Sequence, residues 1–72
     1  MYDICEMFGL NVKMHREEKG ISQEKLAEEA GLHRTYISAV ERGVRSISLK
    51  NIQKIATALK IDVYLLFIFK GE

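Results

Sequence analysis

Residues 22–43 read SQEKLAEEAGLHRTYISAVERG, and this stretch decides the fold. Its pattern predicts two short helices joined by a tight turn at Gly31. The apolar side chains that would face inward recur at helical spacing: Leu26, Ala27, Ala30, Leu32, Ile37 and Val40. Leu32 is expected to close the corner between the helices. Two short helices joined in this way form the helix-turn-helix motif, whose second helix can enter the DNA major groove.

The second helix of the pair leaves a small set of side chains for its outer face. These residues are Arg34, Thr35, Ser38, Ala39 and Arg42. Arg34 could donate to both major-groove acceptors of guanine, O6 and N7, or it could be a surface arginine or a phosphate contact. Thr35 could either contact a thymine methyl group or cap the helix. The outer face therefore predicts a helix that reads DNA.

The charge of the chain is unevenly distributed. The formal net charge is +1 over 72 residues, but residues 33–60 carry six basic side chains against one acidic side chain, a balance of +5. Residues 1–32 have a balance of −3, and residues 61–72 have a balance of −1. A positive field over the second motif helix suits phosphate attraction, although an ordinary solvated face could have the same composition.

Length and composition limit the remaining possibilities. A chain of 72 residues has room for one domain, residues 1–72, and its core would be marginal in a monomer. Cys5 is the single cysteine, which suits a reducing compartment. The N-terminus gives no indication of a signal peptide, and the apolar run at residues 63–69 is too short to span a bilayer. We therefore expect a cytoplasmic protein with no membrane partner.

Capping residues and helical spacing predict the elements on either side of the motif. Helix 1 is expected at Asp3–Lys19, and Ser22 should cap helix 2. Helix 3 is expected at His33–Arg42, followed by a loop at Val44–Ile47. Ser48 should cap a fourth helix, whose inner stripe is Leu49, Ile52, Ile55, Ala56 and Leu59.

The last segment is unusually apolar. Asp62 should cap a fifth helix beginning at Val63, and from Ile61 to Phe69 only Asp62 is polar apart from the Tyr64 hydroxyl. A helix that is apolar all round must be covered on more than one side, by the home core or by a second copy. We favour a self-association surface, with Leu65, Phe67 and Phe69 as its interface residues. A strand is the alternative, because these residue types also prefer strands.

A set of short motifs extends from Phe8 into this last segment. The motifs are Phe8-Gly9, Arg16, Gly20-Ile21-Ser22-Gln23, Leu26-Ala27, Ile37-Ser38, Glu41-Arg42-Gly43, Ile55-Ala56 and Leu59. Together they resemble the phage-repressor-like, or Xre-type, helix-turn-helix family. Within that family, residues 33–38 and 45–49 are similar to the controller proteins of restriction–modification systems. The resemblance implies an all-α, single five-helix, lambda-repressor-like domain.

The resemblance also implies a function. It indicates a homodimeric transcriptional regulator that binds double-stranded DNA at a pseudo-palindromic operator and controls its own promoter and a restriction endonuclease gene. The alternative is an antitoxin or adapter that uses the same fold mainly for protein–protein interaction. The basic block at residues 33–60 favours DNA.

Particular residues match the family's positions of known role. Positions that face base edges correspond to Arg34, Thr35 and Ala39. Positions at the groove wall or the DNA backbone correspond to Tyr36 and Ser38, a phosphate-contacting position to Gln23, and the loop that approaches DNA to Arg45 and Ser46. From their charge, Arg42 and Arg45 are expected to contact phosphates along the DNA backbone. Arg16 and Glu41 match an ion pair that links helices 1 and 3, which is scaffold and not chemistry.

Two residues depart from the family pattern. His15 stands where leucine is usual, so a polar ring should lie in or beside the core. His33 stands where Asp or Ser would be expected, so helix 3 should be weakly capped.

No enzyme chemistry or cofactor is indicated. Cys5, His15 and His33 are too far apart in sequence to follow a metal-ligand spacing. Ser22 and Ser38 have no histidine base placed for them, and the chain has no glycine-rich phosphate loop. The sequence therefore predicts neither catalysis, nor a metal site, nor a small-molecule ligand.

Overall fold

Four α-helices and a 3₁₀ helix make up the computed structural model, which describes residues 3–69. The elements are α1 (Ile4–Glu18), α2 (Gln23–Ala30), α3 (Arg34–Glu41), α4 (Leu49–Leu59) and the 3₁₀ helix (Val63–Phe67). No strand occurs between residues 3 and 69, so the all-helical prediction is confirmed. Residues 1, 2 and 70–72 of the predicted domain lie outside the described residues.

The prediction of a fifth α-helix is wrong. Val63–Phe67 form a single stretch of 3₁₀ helix, and the Asp62 side chain makes no capping hydrogen bond. The amide of Asn11 on α1 donates instead to the carbonyl oxygens of Leu66 (2.9 Å) and Ile68 (3.0 Å). These carbonyls therefore have a partner outside the segment, and tertiary contacts hold a sequence whose aromatic and β-branched residues have low helix propensity.

The caps of the motif helices follow the sequence closely. The Ser22 hydroxyl accepts from the main-chain N–H of Lys25 at 3.0 Å, and Ser48 does the same for Asn51 at 3.1 Å. Gly31 ends α2 with φ +71°, a left-handed conformation that costs glycine little. His33 provides no side-chain cap for α3, so the predicted weak cap is confirmed.

One apolar core joins all five elements. Its buried members are Phe8, Val12, Leu26, Ala27, Ile37, Val40, Ile52, Ile55, Ala56, Leu59 and Leu66. Leu32 packs against this cluster at the corner of the motif, and His15 lies half-buried beside it, both as predicted. Leu49 was wrongly placed on the inner stripe of α4. It is the first residue of that helix and is 83% exposed, because the helix begins at the edge of the core.

Gly9 allows α1 to cross very close to the end of α3. A Cβ atom at this position would lie 2.2 Å from the carbonyl oxygen of Val40 and 2.8 Å from that of Glu41. Both obstacles are backbone atoms, which cannot move aside as a flexible side chain can. The absence of a side chain at Gly9 therefore sets how closely α1 and α3 approach.

A buried ion pair fixes the same two helices. Arg16 donates from Nε to Glu41 Oε2 at 2.7 Å and from Nη2 to Oε1 at 3.1 Å. Its Nη1 donates to the Ile21 carbonyl at 2.9 Å, and Gln23 Nε2 donates to Glu41 Oε1 at 2.9 Å. The Arg16 side chain is only 12% exposed and that of Glu41 only 3%. The hydrogen bond with Glu41 raises the pKa of Arg16 above its ordinary value, which keeps the guanidinium charged.

We expect Glu41→Ala to lower the free energy of unfolding by about 3–5 kcal/mol, because it leaves Arg16 largely buried without its carboxylate. Glu28→Ala is the matched control, since Glu28 is exposed and lies 3.9 Å from Lys25. The control should cost less than about 1 kcal/mol. Urea denaturation of both variants measures the difference, and equal losses would contradict a structural role for the Arg16–Glu41 pair.

Candidate nucleic-acid interface

The outer face of α3 presents the residues predicted to read base edges. Arg34 and Thr35 are exposed in the first turn of the helix, and Ala39 lies half-buried one turn beyond Thr35. Ile37 and Val40 are completely buried on the opposite face, which fixes the rotation of the helix. The structure therefore brings Arg34, Thr35 and Ala39 onto one accessible surface.

The start of α3 adds a local positive potential to this surface. The His33 side chain makes no capping hydrogen bond, and in the first turn Tyr36 N–H donates to the His33 carbonyl. The start of the helix carries the positive end of the helix dipole, and Arg34 is its first residue. Both attract an anion that approaches the first turn of α3.

The surface charge is more one-sided than the sequence balance suggests. The six basic residues of 33–60 are all exposed: Arg34, Arg42, Arg45, Lys50, Lys54 and Lys60. Glu41, the one acidic residue of this segment, is buried and paired with Arg16. The accessible charge of residues 33–60 is therefore +6 and not +5. Because Arg16 of α1 neutralises Glu41, this carboxylate does not offset the field of the six cations.

The loop between α3 and α4 lies beside α3. Val44, Arg45 and Ser46 are exposed, and the Arg45 guanidinium lies 4.9 Å from the centroid of the Tyr36 ring. The Tyr36 hydroxyl accepts a hydrogen bond from Asn51 Nδ2 at 3.1 Å. An open groove of about 420 Å³ runs here, lined by Leu32, His33, Thr35, Tyr36, Arg45 and Asn51. Sequence reasoning missed Asn51, because no local pattern links it to a residue 15 positions earlier.

The remaining residues predicted along the DNA backbone have different surroundings. Arg42 is exposed at the end of α3, and Ser38 is half-buried on the helix. Gln23 is half-buried, and its amide donates to Glu41. One amide proton of Gln23 remains, and its main-chain N–H at the first position of α2 has no acceptor within the helix. Gln23 is therefore a scaffold residue with donors left for a phosphate.

The predicted interface residues lie on another side of the fold. The 3₁₀ helix packs on α1 and α4, whereas α3 packs on α1 and α2. The Phe67 ring lies 5.1 Å from that of Phe8 and 6.3 Å from that of Phe69, yet Phe67 is 38% exposed. Leu65 and Phe69 are half-buried. Phe67 thus has one side on the home core and the other on the surface.

Membrane-spanning and metal-binding features are absent from the part of the chain that the structure describes. None of its helices has both the length and the apolar character needed to cross a membrane. Between residues 3 and 69, no three histidine, cysteine or acidic side chains are grouped where they could hold a metal ion.

Comparison with known proteins extends over most of the chain. The helix-turn-helix family model matches residues 12–66. A hypothetical transcription factor of Neisseria meningitidis is 46% identical over 66 residues, which cover 92% of this chain and 62% of that protein. The chain thus spans less than two thirds of the length of the Neisseria relative.

Two further similar proteins are a control protein and a restriction-modification controller protein by name. Control protein C.BamHI of Bacillus amyloliquefaciens is 55% identical over 57 residues, which cover 78% of this chain and 70% of that protein. The crystal structure of the restriction-modification controller protein C.AhdI from Aeromonas hydrophila matches with a TM-score of 0.89 at 48% identity. The match covers 92% of this chain and 100% of that one.

Proposed function

The chain belongs to the Xre-type helix-turn-helix family of DNA-binding transcription regulators, and from this membership we propose that it controls a restriction–modification system as a homodimer on a pseudo-palindromic operator. As a regulator of this family it acts by binding DNA and is not an enzyme. The proposal concerns the operator, the oligomeric state and the genes under control. We also propose that residues 1–72 act as one domain in the cytoplasm.

The observation that carries the proposal is the surface around α3. Arg34 and Thr35 stand exposed at the start of the helix, and residues 33–60 expose five further cations and no acidic side chain. Base-reading groups specify the site, whereas Arg42, Arg45 and Ser46 contact phosphates and position the helix. The names of C.BamHI and C.AhdI support a restriction–modification system as the target.

The dimer is inferred from the apolar surface that α1 and the C-terminal segment form together. Phe67, Tyr64 and Ile68 are exposed there, and Asn11 of α1 holds the backbone of this segment in place. We propose that Leu65, Phe67 and Phe69 contribute to the interface between two copies. Two-fold symmetry would then set the reading helices about 34–36 Å apart, one turn of DNA.

We expect DNA binding to weaken steeply with salt, because each phosphate contact releases a counterion. About six to ten phosphates neutralised per dimer give a slope of about −5 to −9 for log affinity against log salt. Equilibrium titrations of the DNA upstream of the protein's own gene, at several salt concentrations, measure the slope. A flat response would contradict the proposed phosphate contacts and favour the protein-interaction alternative.

Arg34→Ala should weaken binding to the operator by about 1–3 kcal/mol and leave binding to random duplex nearly unchanged, because a base contact carries the sequence information. Arg45→Ala is the matched control, since an exposed arginine that contacts only phosphate should affect both duplexes together. Competition with scrambled operator separates the two effects. If Arg34→Ala lowers both affinities equally, the base-reading role is wrong.

The double variant Phe67→Glu/Phe69→Glu should be folded, monomeric and weak in operator binding, since two buried carboxylates would oppose association. Sedimentation reports the oligomeric state, and circular dichroism reports the helix content. Leu49→Glu is the control, because it places the same charge on a side chain that is 83% exposed on another surface, and it should remain dimeric. A wild-type monomer, or a double variant that still dimerises, would refute this interface.

A further inference from the structure

Tyr36 is held at both ends of its side chain. Its hydroxyl accepts a hydrogen bond from Asn51 on α4, and its ring lies under the guanidinium of Arg45 in the loop. Both neighbours also line the groove beside Thr35. Three residues from α3, the loop and α4 thus form one connected unit, which we call the Asn51–Tyr36–Arg45 unit.

The direction of the hydrogen bond matters for the chemistry of Tyr36. A phenol can both donate and accept, and here Asn51 Nδ2 occupies it as an acceptor. The hydroxyl proton is therefore left to donate to another group, such as a phosphate oxygen. Because hydrogen bonds in a chain polarise one another, the bond from Asn51 makes that proton a better donor.

The contact with the ring has a different consequence, which concerns Arg45. The loop around Arg45 has no regular secondary structure, and Val44 and Ser46 on either side of it are exposed. Immobilising a free, rotamer-rich side chain on binding costs about 0.5–1.5 kcal/mol. An aromatic face attracts a guanidinium and limits where it can lie, while the N–H donors in the guanidinium plane stay available. The ring therefore orders Arg45 before any ligand arrives.

We propose that Asn51 is a positioning residue for DNA recognition. Its hydrogen bond fixes the Tyr36 ring, and the ring in turn sets Arg45 at the edge of the groove next to Thr35. Asn51 acts through Tyr36 and touches no DNA itself. The proposal rests on the proposed DNA-binding surface, and its first test is independent of DNA.

The first test follows Arg45 in the free protein by nuclear magnetic resonance. The Arg45 guanidinium lies 4.9 Å from the centroid of the Tyr36 ring, so the protons at the end of this side chain should resonate upfield of their ordinary position. Asn51→Ala should reduce this ring-current shift, because Tyr36 loses its anchor. Gln53→Ala, which removes an exposed amide from the same helix, should leave the shift unchanged. An Arg45 shift that is unaffected by Asn51→Ala would overturn the proposal, whether or not the protein binds DNA.

The second test is a double-mutant cycle on the DNA upstream of the protein's own gene. Asn51→Ala should weaken binding about two- to tenfold, the loss expected from one hydrogen bond. In the Tyr36→Phe background, which keeps the ring but removes the hydroxyl, the same substitution should have no further effect. Additive losses would show that Asn51 acts on DNA directly and would overturn the proposal. If the wild-type protein does not bind this DNA at all, the proposed function is contradicted. The first test then decides whether Asn51 positions Tyr36 and Arg45.

Discussion

The ion pair between Arg16 and Glu41 is the constraint on which the rest of the fold depends. Arg16 lies on α1, Glu41 ends α3, and Gln23 at the start of α2 donates to the same carboxylate. Apolar packing alone tolerates small rotations of a helix, because many side-chain arrangements fill a similar volume. The bidentate Arg16–Glu41 pair does not tolerate such rotations, because a tilted α3 would leave a buried charge without its partner. The Arg16–Glu41 pair therefore fixes the orientation of α3.

Two kinds of side chain are exposed in the part of the chain that the structure describes. The cations of α3, α4 and the intervening loop are exposed, and so are apolar residues of α1 and the C-terminal segment. Because Glu41 is buried and paired with Arg16, residues 33–60 expose no acidic side chain, and the C-terminal segment packs on α1 and α4, whereas α3 packs on α1 and α2.

The motif could be predicted because its signals are local. The Ser22 hydroxyl accepts from the main-chain N–H of Lys25 and caps α2, Gly31 provides the left-handed residue that ends α2, and Ile37 and Val40 mark the inner face of α3. The sequence-based predictions failed where contacts between residues distant in sequence determine the structure. The carbonyls of Leu66 and Ile68 bond to Asn11, more than 50 residues earlier, and no local pattern reveals this. The link between Asn51 and Tyr36 was missed for the same reason, and the roles of Arg34, Thr35 and Ala39 at the base edges stay predictions.

The close packing at Gly9 gives α1 a further part. This helix contacts α3 at Gly9 and Arg16, and it holds the C-terminal segment through Asn11 between them. At 15 residues α1 is about 22 Å long, and a rigid helix of that length fixes the distance between α3 and the C-terminal segment. In a symmetric pair, any change in how the segment docks on α1 would displace both reading helices together. In the dimer proposed above, the distance between the two α3 helices would therefore depend on packing in the interior of each copy, away from the exposed side chains of α3.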